Sequence, residues 1–231
     1  MASSVVPRQA VAEALKPYSA VSDRPSVAQR VAGVLLMVPG VGLVMGWLTA
    51  EALYPQTYTT HTNSLSNLGA TEPPNSVALQ PSAGIFDVTV LIAGLMLIGA
   101  AYFTFRAFEA KRVSIPIALL GLGVFGVGIF PLTNPTAHTL VAIVAFYCGG
   151  IAVILASTIA APVFRYIWIP LGVVSLAAIT LAFFAQHWAP IASLGLGGIE
   201  RWNTYPIVLW LIAFGSYLMT GCAITARRRE T

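Results

Sequence analysis

Charged residues are scarce in this chain. Its 231 residues include 12 Lys and Arg and 8 Asp and Glu, which together make 9% of the sequence, while 57% are hydrophobic. Soluble domains carry about 25% charged residues, so this chain could not present an ordinary charged surface to water. Cysteine is also rare: Cys148 and Cys222 fall at different depths of the apolar segments, which argues against a disulfide between them. The composition is that of a membrane protein.

Long apolar runs account for most of the sequence. Six of them are long enough, at about 1.5 Å per residue, to cross or nearly cross a hydrocarbon core of about 30 Å. They cover residues 31–54, 84–105, 113–130, 139–161, 167–185 and 204–225. The sequence therefore predicts an all-α polytopic membrane protein, a bundle of six transmembrane helices. Its transmembrane domain covers 31–225, between a cytoplasmic arm at 1–30 and a basic cytoplasmic tail at 226–231.

The distribution of Lys and Arg predicts the orientation, because these residues are retained on the cytoplasmic side during insertion. An even number of spans places both termini on one side. If that side is cytoplasmic, eleven of the twelve cations lie inside and Arg201 alone lies outside. We therefore expect an inner (plasma) membrane protein with both termini in the cytoplasm. The same bias explains the net charge of +4, so no nucleic-acid partner is expected.

A polar stretch interrupts the apolar sequence after the first span. Residues 61–75 read HTNSLSNLGATEPPN and belong to the largest predicted outer loop. Ser64, Ser66 and Asn67 have short side chains that bond to nearby backbone groups, and Gly69 is suited to positive φ at the end of the turn. Backbone near the membrane must satisfy its own hydrogen bonds. The stretch therefore predicts a polar loop that caps the outer ends of the helices.

Four further polar residues are predicted on the same outer side. Asp87 lies about one turn inside the second span, where an ionisable group costs about 2.5 to 3.5 kcal/mol unless it faces a partner or water. His138 is the partner that we expect for it. Arg201 is expected to bind a phosphate or to pair with Glu200 or Asp87. Besides the structural interpretation, these residues predict an outer site for lipid headgroups, made of Ser64, Ser66, Asn67, Gly69, Asp87, His138, Glu200 and Arg201.

Catalytic signatures are few. An intramembrane metal-dependent lipid hydrolase would use histidines and an aspartate to hold zinc, and His61, His138, His187 and Asp87 are the candidate ligands. The sequence has no HxxxH or HExxH pair to place two ligands on one helical face, and no GxSxG elbow. We therefore expect a non-enzymatic protein without a cofactor, with the hydrolase as the alternative.

Glycine and aromatic residues suggest how the bundle packs. The run GLGVFGVG at 121–128, together with Gly42 and Gly46, predicts close helix contacts. The aromatic residues near the predicted outer face are expected to form an interfacial belt. They are Trp47, Tyr54, Trp188, Trp202 and Tyr205.

Three short motifs carry a family resemblance. They are SNLG at 66–69 after the first span, GIFP at 128–131 followed by His138, and GIER at 198–201 before the last span. In this order and placement, over roughly residues 30–225, they resemble the prokaryotic membrane proteins called domain of unknown function 998, whose pattern usually has an acidic residue where Asn67 stands. The layout is distantly similar to the Frag1, DRAM and Sfk1 group. Neither resemblance implies a reaction.

The cytoplasmic arm and the composition suggest a partner. Residues 8–16, RQAVAEALK, group their apolar positions at helical spacing, as in a segment that docks on another protein. Ten Arg against two Lys, with abundant Ala, Val and Gly, is typical of a chain encoded at high GC content, such as an actinobacterial one. We therefore expect an accessory or stabilising subunit of a larger membrane assembly. An envelope-lipid transport complex of the mammalian-cell-entry type is one candidate, with lipids and other membrane subunits as partners.

Overall fold

The computed structural model describes residues 25–221, which are helical except for the connections between helices. The all-α prediction is confirmed. The predicted arm falls largely outside the described residues, and the predicted tail falls wholly outside them. Two short 3-10 helices are Leu65–Leu68 and Pro162–Phe164. The α-helices are α1 (Val27–Ala52), α2 (Ser82–Phe108), α3 (Lys111–Ile129), α4 (Pro135–Ala156), α5 (Arg165–Phe184), α6 (Ala189–Ala192) and α7 (Gly195–Thr220).

Between residues 25 and 221, five helical segments are long and apolar enough to cross a membrane. They are α1 to α4 and the segment Pro162–Phe184, with mean hydropathies between 1.9 and 2.4. Helix α7 has 26 residues but carries Glu200, Arg201 and Asn203 in its first turns, and it falls outside this set. The chain is an integral membrane protein. The count of six spans and the cytoplasmic position of both termini stay predictions.

The long helices form a closed ring. Each of α1 to α4 packs against the next helix along the chain, α5 packs against α7, and α7 packs against α1. Helix α7 also contacts α4, so it lies partly inside the ring. Its Trp210 and Phe214 are fully buried, as are Leu36 of α1 and Leu97 of α2. The core is therefore built around α7.

Glycines bring several helices into close contact. A Cβ on Gly121 would lie 2.9 Å from the carbonyl oxygen of Gly94, and one on Gly123 would lie 2.6 Å from the backbone nitrogen of Ala145. Gly46 packs against Thr89. The predicted close packing is confirmed at these positions. It is wrong for Gly42, where a Cβ would meet nothing within 4 Å, because that face of α1 has no helix beside it.

Short connections make neighbouring helices antiparallel, so the bundle has two distinct ends. We call the end where α1 finishes and α2, α4 and α7 begin the polar end, because it carries the loop of residues 53–81. Helix α7 begins nine residues before the predicted span at 204–225. The sequence placed Glu200 and Arg201 in a loop before that span, whereas in the structure both lie on the helix. The hydropathy pattern detected only the apolar part of this helix.

Candidate functional site at the polar end

The loop of residues 53–81, here called the cap loop, folds over the polar end of the bundle. Its 3-10 helix, Leu65–Leu68, contacts α1, α2 and α7. Asn67 holds the turn together: its Oδ1 accepts a hydrogen bond from the backbone N–H of Ser64 at 2.8 Å, and its Nδ2 donates to Oε1 of Glu72 at 2.9 Å. Ser64 and Asn67 are both buried. These two predicted site residues therefore hold the cap loop in shape from within.

Gly69 follows the 3-10 helix with a φ of −84°, so the predicted positive φ is wrong. A Cβ at this position would lie 2.8 Å from Cδ1 of Phe86 and 3.1 Å from Oδ1 of Asp87. The position requires glycine because the cap loop passes close to α2. Asp87 is half-buried, and its Oδ1 has no hydrogen-bond partner among the described residues.

His138, at the start of α4, joins three parts of the polar end. Its Nδ1 lies 2.8 Å from the carbonyl oxygen of Phe130, and its Nε2 lies 3.1 Å from Oγ of Ser66. A carbonyl oxygen only accepts, so Nδ1 carries a proton. The predicted pair between His138 and Asp87 is not formed, because both ring nitrogens of His138 bond elsewhere. The histidine connects the turn between α3 and α4 to the cap loop.

Glu200, in the second turn of α7, continues this chain of hydrogen bonds. The backbone N–H of Leu65 donates to its Oε2 at 2.9 Å, and Oγ of Ser66 donates to its Oε1 at 3.3 Å. Burial raises the pKa of the Glu200 carboxyl to about 7, against the opposing effect of these bonds and of Arg201. Ser66 has one hydroxyl proton, which it can donate either to Glu200 or to Nε2 of His138. The two bonds therefore exist together only when the other partner, Glu200 or Nε2, carries a proton of its own and donates it to Oγ of Ser66.

Arg201 fastens the cap loop to α7 through backbone oxygens. Its Nη1 donates to the carbonyl oxygens of Thr60 at 3.1 Å, Asn63 at 2.9 Å and Gly197 at 2.9 Å. Its carboxylate neighbour is Glu51, at 4.0 Å from Nη2. The expected pairing of Arg201 with Glu200 or Asp87 is wrong, because loop carbonyls occupy the guanidinium. Arg201 is 7% exposed, and its Nε is buried without a hydrogen-bond partner among the described residues, so the binding of a phosphate there stays a prediction.

Two residues that help Arg201 to fasten the cap loop to α7 were not identified from the sequence. Tyr58 accepts a hydrogen bond from Nη2 of Arg201 at 2.9 Å and donates to the carbonyl oxygen of Ser64 at 2.8 Å. Burial raises the pKa of Tyr58 to about 12, which keeps this donor protonated. Gly197 lies directly beneath the carbonyl oxygens of Asn63 and Thr60, where a Cβ would collide. An isolated tyrosine in a polar loop gives no sequence signal for such a role.

The four candidate metal ligands are not brought together. Nε2 of His61 lies 3.2 Å from the carbonyl oxygen of Ser193, His138 has the bonds given above, and His187 is exposed. Within residues 25–221, no group of three or more His, Cys, Asp or Glu side chains is placed to hold a metal ion. The predicted ligand set for a hydrolase therefore does not form a site in this arrangement.

A narrow cavity lies beneath the cap loop, between α1, α2, α3, α4 and α7. Its volume is about 70 Å³. Along α2 its wall runs from Phe86 to Leu97, eleven residues or about 16 Å of helix, so the cavity is long and thin. Ser66 and Glu200 line it beside apolar side chains. The rest of the lining includes Trp47, Leu120, Ala142, Thr204, Val208 and Leu211.

The eight predicted site residues thus fall into three groups. Ser66 and Glu200 line the cavity, and Ser64, Asn67, Gly69, His138 and Arg201 shape the cap loop or fasten it to the helices. Asp87 lies beside Gly69, and its Oδ1 has no partner among the described residues. A ring of apolar helices closed at one end by a hydrogen-bonded cap defines an integral membrane protein with an internal space.

The family follows from the sequence match. Residues 31–217 match the family model described as "Protein of unknown function (DUF998)", and the chain belongs to that family. The predicted resemblance is confirmed, and its three motifs meet in one chain of hydrogen bonds, from Phe130 through His138 and Ser66 to Glu200. Comparisons with curated proteins and with solved structures found no match.

Proposed function

We propose that this protein works without catalysing a reaction and holds one chain of a membrane lipid inside its helix bundle. The polar part of the lipid lies at Ser66 and Glu200, and the hydrocarbon part lies along the apolar cavity. In the predicted orientation, the polar end faces the outside of the plasma membrane and both termini lie in the cytoplasm.

One observation carries the lipid proposal: Ser66, Glu200 and Thr204 line the part of a long, thin cavity nearest the cap loop, and its other lining residues are hydrophobic. A ligand that fits such a space has a polar group at one end and a single hydrocarbon chain behind it. Ligand sites in proteins commonly combine an apolar wall with a small number of placed polar groups. The cavity meets that description, with Ser66 and Glu200 as the polar groups and Leu97, Leu120 and Leu211 in the wall.

The accessory role in a larger membrane assembly is the second part of the proposal. Its support is a sequence that predicts a docking segment at 8–16. The excess of arginine over lysine, with abundant Ala, Val and Gly, favours an actinobacterial setting, in which an envelope-lipid transport complex of the mammalian-cell-entry type is the candidate assembly. The metal-dependent hydrolase is not favoured, because its candidate ligands lie apart.

The test is mass spectrometry of the full chain, isolated in mild detergent from its native membranes through a C-terminal tag. Proteins, lipids and metals are measured in one sample. We expect stoichiometric partner subunits and a lipid that survives detergent washing. A particle without other subunits would overturn the accessory role, and one that retains no lipid would overturn the lipid site. Stoichiometric zinc would replace both with the hydrolase.

A matched pair of variants separates a cavity ligand from annular lipid. Ala142→Leu adds bulk inside the cavity without touching the hydrogen bonds of the cap loop. Ala177→Leu makes the same change on an exposed position of α5. We expect Ala142→Leu to lose the retained lipid and Ala177→Leu to keep it. Equal retention by the two variants would mean that the lipid lies outside the bundle.

A further inference from the structure

A second space lies on the surface of the bundle, in a groove between α1 and α7. Its volume is about 300 Å³. Both Leu48 and Leu209 are more than half exposed on the apolar surface, so the groove is open to the surroundings of the bundle. Seven residues line it: Val44, Trp47, Leu48, Glu51, Tyr205, Val208 and Leu209.

The groove and the internal cavity share two residues. Trp47 and Val208 line both spaces, so a partition one side chain thick separates them. Trp47 is 7% exposed and its ring stacks on Tyr205, with 6.4 Å between the ring centroids. Trp47 and Val208 are therefore the side chains that a ligand has to displace to pass from the surface groove to the interior.

The polar and apolar residues of the groove are arranged in the same order as the polar and apolar parts of a lipid. Glu51 lies at the last turn of α1 and Tyr205 lies in the first half of α7, so the polar lining of the groove is nearest the cap loop. Val44 and Leu209 lie farther from it. The Glu51 side chain is 33% exposed and lies 4.0 Å from Arg201. A lipid beside α1 and α7 would therefore have its polar part at Glu51 and Tyr205 and its chain along the apolar lining.

Two buried hydrogen-bond donors line the cavity without a partner among the described residues. They are Nε1 of Trp47 and Oγ1 of Thr204. An unmade hydrogen bond of a buried donor costs about 1 to 3 kcal/mol, so such donors are rare unless a ligand or water meets them. A carbonyl oxygen supplies two acceptor lone pairs and no donor, which suits a pair of donors.

We infer that the ligand is an acyl lipid, whose carboxyl or ester carbonyl accepts hydrogen bonds from Trp47 and Thr204, and that it enters sideways from the bilayer between α1 and α7. The inference rests on the proposed lipid function. From the aqueous side the cap loop closes the cavity, because Leu65 and Ser66 are hydrogen-bonded to Glu200 across its top. The groove adjoins the cavity at Trp47 and Val208, which line both spaces and define the route between them.

The first experiment is photolabelling in vesicles of phosphatidylglycerol that contain a phosphatidylglycerol with a diazirine in one acyl chain. Labelled peptides are mapped by mass spectrometry. In the unchanged protein we expect label at Leu209 in the groove and at Leu97 and Leu120 in the cavity. Val208→Trp should close the partition and remove the label from the two interior leucines.

Two further variants control for folding. Leu209→Trp narrows the groove at an exposed position, without a change in the buried core, and should also remove the interior label. Leu140→Trp makes the same change at an exposed position of α4 and should leave the interior label unchanged. Interior label in Val208→Trp and Leu209→Trp at the level of the unchanged protein would overturn the lateral route.

The second experiment tests the two donors. Thr204→Val replaces a hydroxyl that has no partner by a methyl group of similar size. A purely structural role predicts unchanged or higher thermal stability and unchanged lipid content. We expect unchanged or higher stability with a loss of retained acyl lipid. Full lipid retention by Thr204→Val would overturn the assignment of the donor.

The outcomes separate this inference from the proposed function. If Ala142→Leu loses its lipid while Val208→Trp keeps its interior label, the internal site stands and the lateral route is wrong. If the unchanged protein retains no lipid and shows no interior label, the internal site and the route are both wrong.

Discussion

The two ends of α7 are held in different ways. At its beginning, Glu200 and Arg201 bond to backbone N–H and carbonyl groups of the cap loop. At its end, Phe214 and Tyr217 pack against Phe164 and Trp168, with ring centroids 4.9 to 5.2 Å apart in the two closest edge-to-face pairs. The polar end depends on the direction of individual hydrogen bonds, whereas the aromatic end depends on buried area and shape. Substitutions at the aromatic end should therefore destabilise the whole bundle, whereas substitutions at the polar end should mainly loosen the cap loop.

The largest effect is expected at the aromatic end. Phe214 is fully buried between Trp168 and Trp210. Phe214→Ala should lower the free energy of unfolding by about 3 to 5 kcal/mol, because it leaves a cavity in the core. Unfolding in mixed micelles, followed by circular dichroism, measures the change. Phe183→Ala, at a position 46% exposed, is the matched control and should have a small effect. Equal effects of the two variants would contradict the comparison.

A smaller and more local effect is expected from Arg201→Ala. The variant leaves three carbonyl oxygens without their charged donor, and a hydrogen bond to a charged group contributes about 1.5 to 3 kcal/mol. We expect a loss of about 3 kcal/mol and, in contrast to Phe214→Ala, rapid proteolysis within residues 53–81 while the bundle stays folded. Arg106→Ala removes an exposed arginine that contacts Tyr102 and should leave the protease pattern unchanged. Uniform proteolysis along the chain would contradict a local role.

Glu200 makes the polar end sensitive to pH. The ordinary pKa of a glutamate is 4.5 and burial raises that of Glu200 to about 7, so the folded protein binds more protons between these values. The stability that this carboxyl contributes is full below about pH 4.5 and is lost as the pH rises through about 7. Glu200→Gln should flatten this part of the pH profile of the unfolding midpoint. Glu109→Gln, an exposed glutamate at the other end, should keep it; a flat profile in the unchanged protein would contradict the assignment.

The smallest effect concerns Asn67, which donates from Nδ2 to Glu72. Asn67→Asp keeps the acceptor for Ser64 but places one carboxylate against another, so we expect a loss of about 1 kcal/mol at neutral pH. Glu72→Gln restores a donor opposite the new carboxylate. The double variant should therefore recover most of the loss in the same unfolding assay. Additive effects of the two substitutions would show that the two side chains do not interact.

Much of the fold was accessible from the sequence, because apolar run length and the short polar connections between runs are encoded locally. The first five predicted spans correspond to α1 to α5 within a few residues. The beginning of α7 was missed, since its first turns are polar and are stabilised by hydrogen bonds to a loop more than 130 residues earlier in the chain. Hydropathy reports on solvent preference and contains no information on such distant bonds.

The sequence predicted several of the residues that form the site, but not which of them are hydrogen-bonded to each other. Grouping the outer polar residues placed Ser66, His138 and Glu200 together, and they are hydrogen-bonded to one another. The acceptors of Arg201 are main-chain oxygens, which every residue possesses, so no side-chain pattern identifies them. Trp47 was expected in an interfacial belt, yet it is buried at the partition beside the cavity. Side-chain type indicates preference for an interface, and only the packing of α1 against α7 decides the burial.

The position of Glu200 and Arg201 late in the chain also sets an order of events during synthesis. The cap loop leaves the ribosome before α2, but its Leu65 and Ser66 donate to Glu200, which is made about 135 positions later. At about 5 to 20 residues per second, that interval is on the order of ten seconds. During this interval the cap loop lacks its hydrogen bonds to Glu200 and Arg201, so chaperones and proteases at the membrane can bind the loop. The cap loop can therefore close only after α7 has been made and inserted. In a protein truncated before α7, the loop would stay open to degradation.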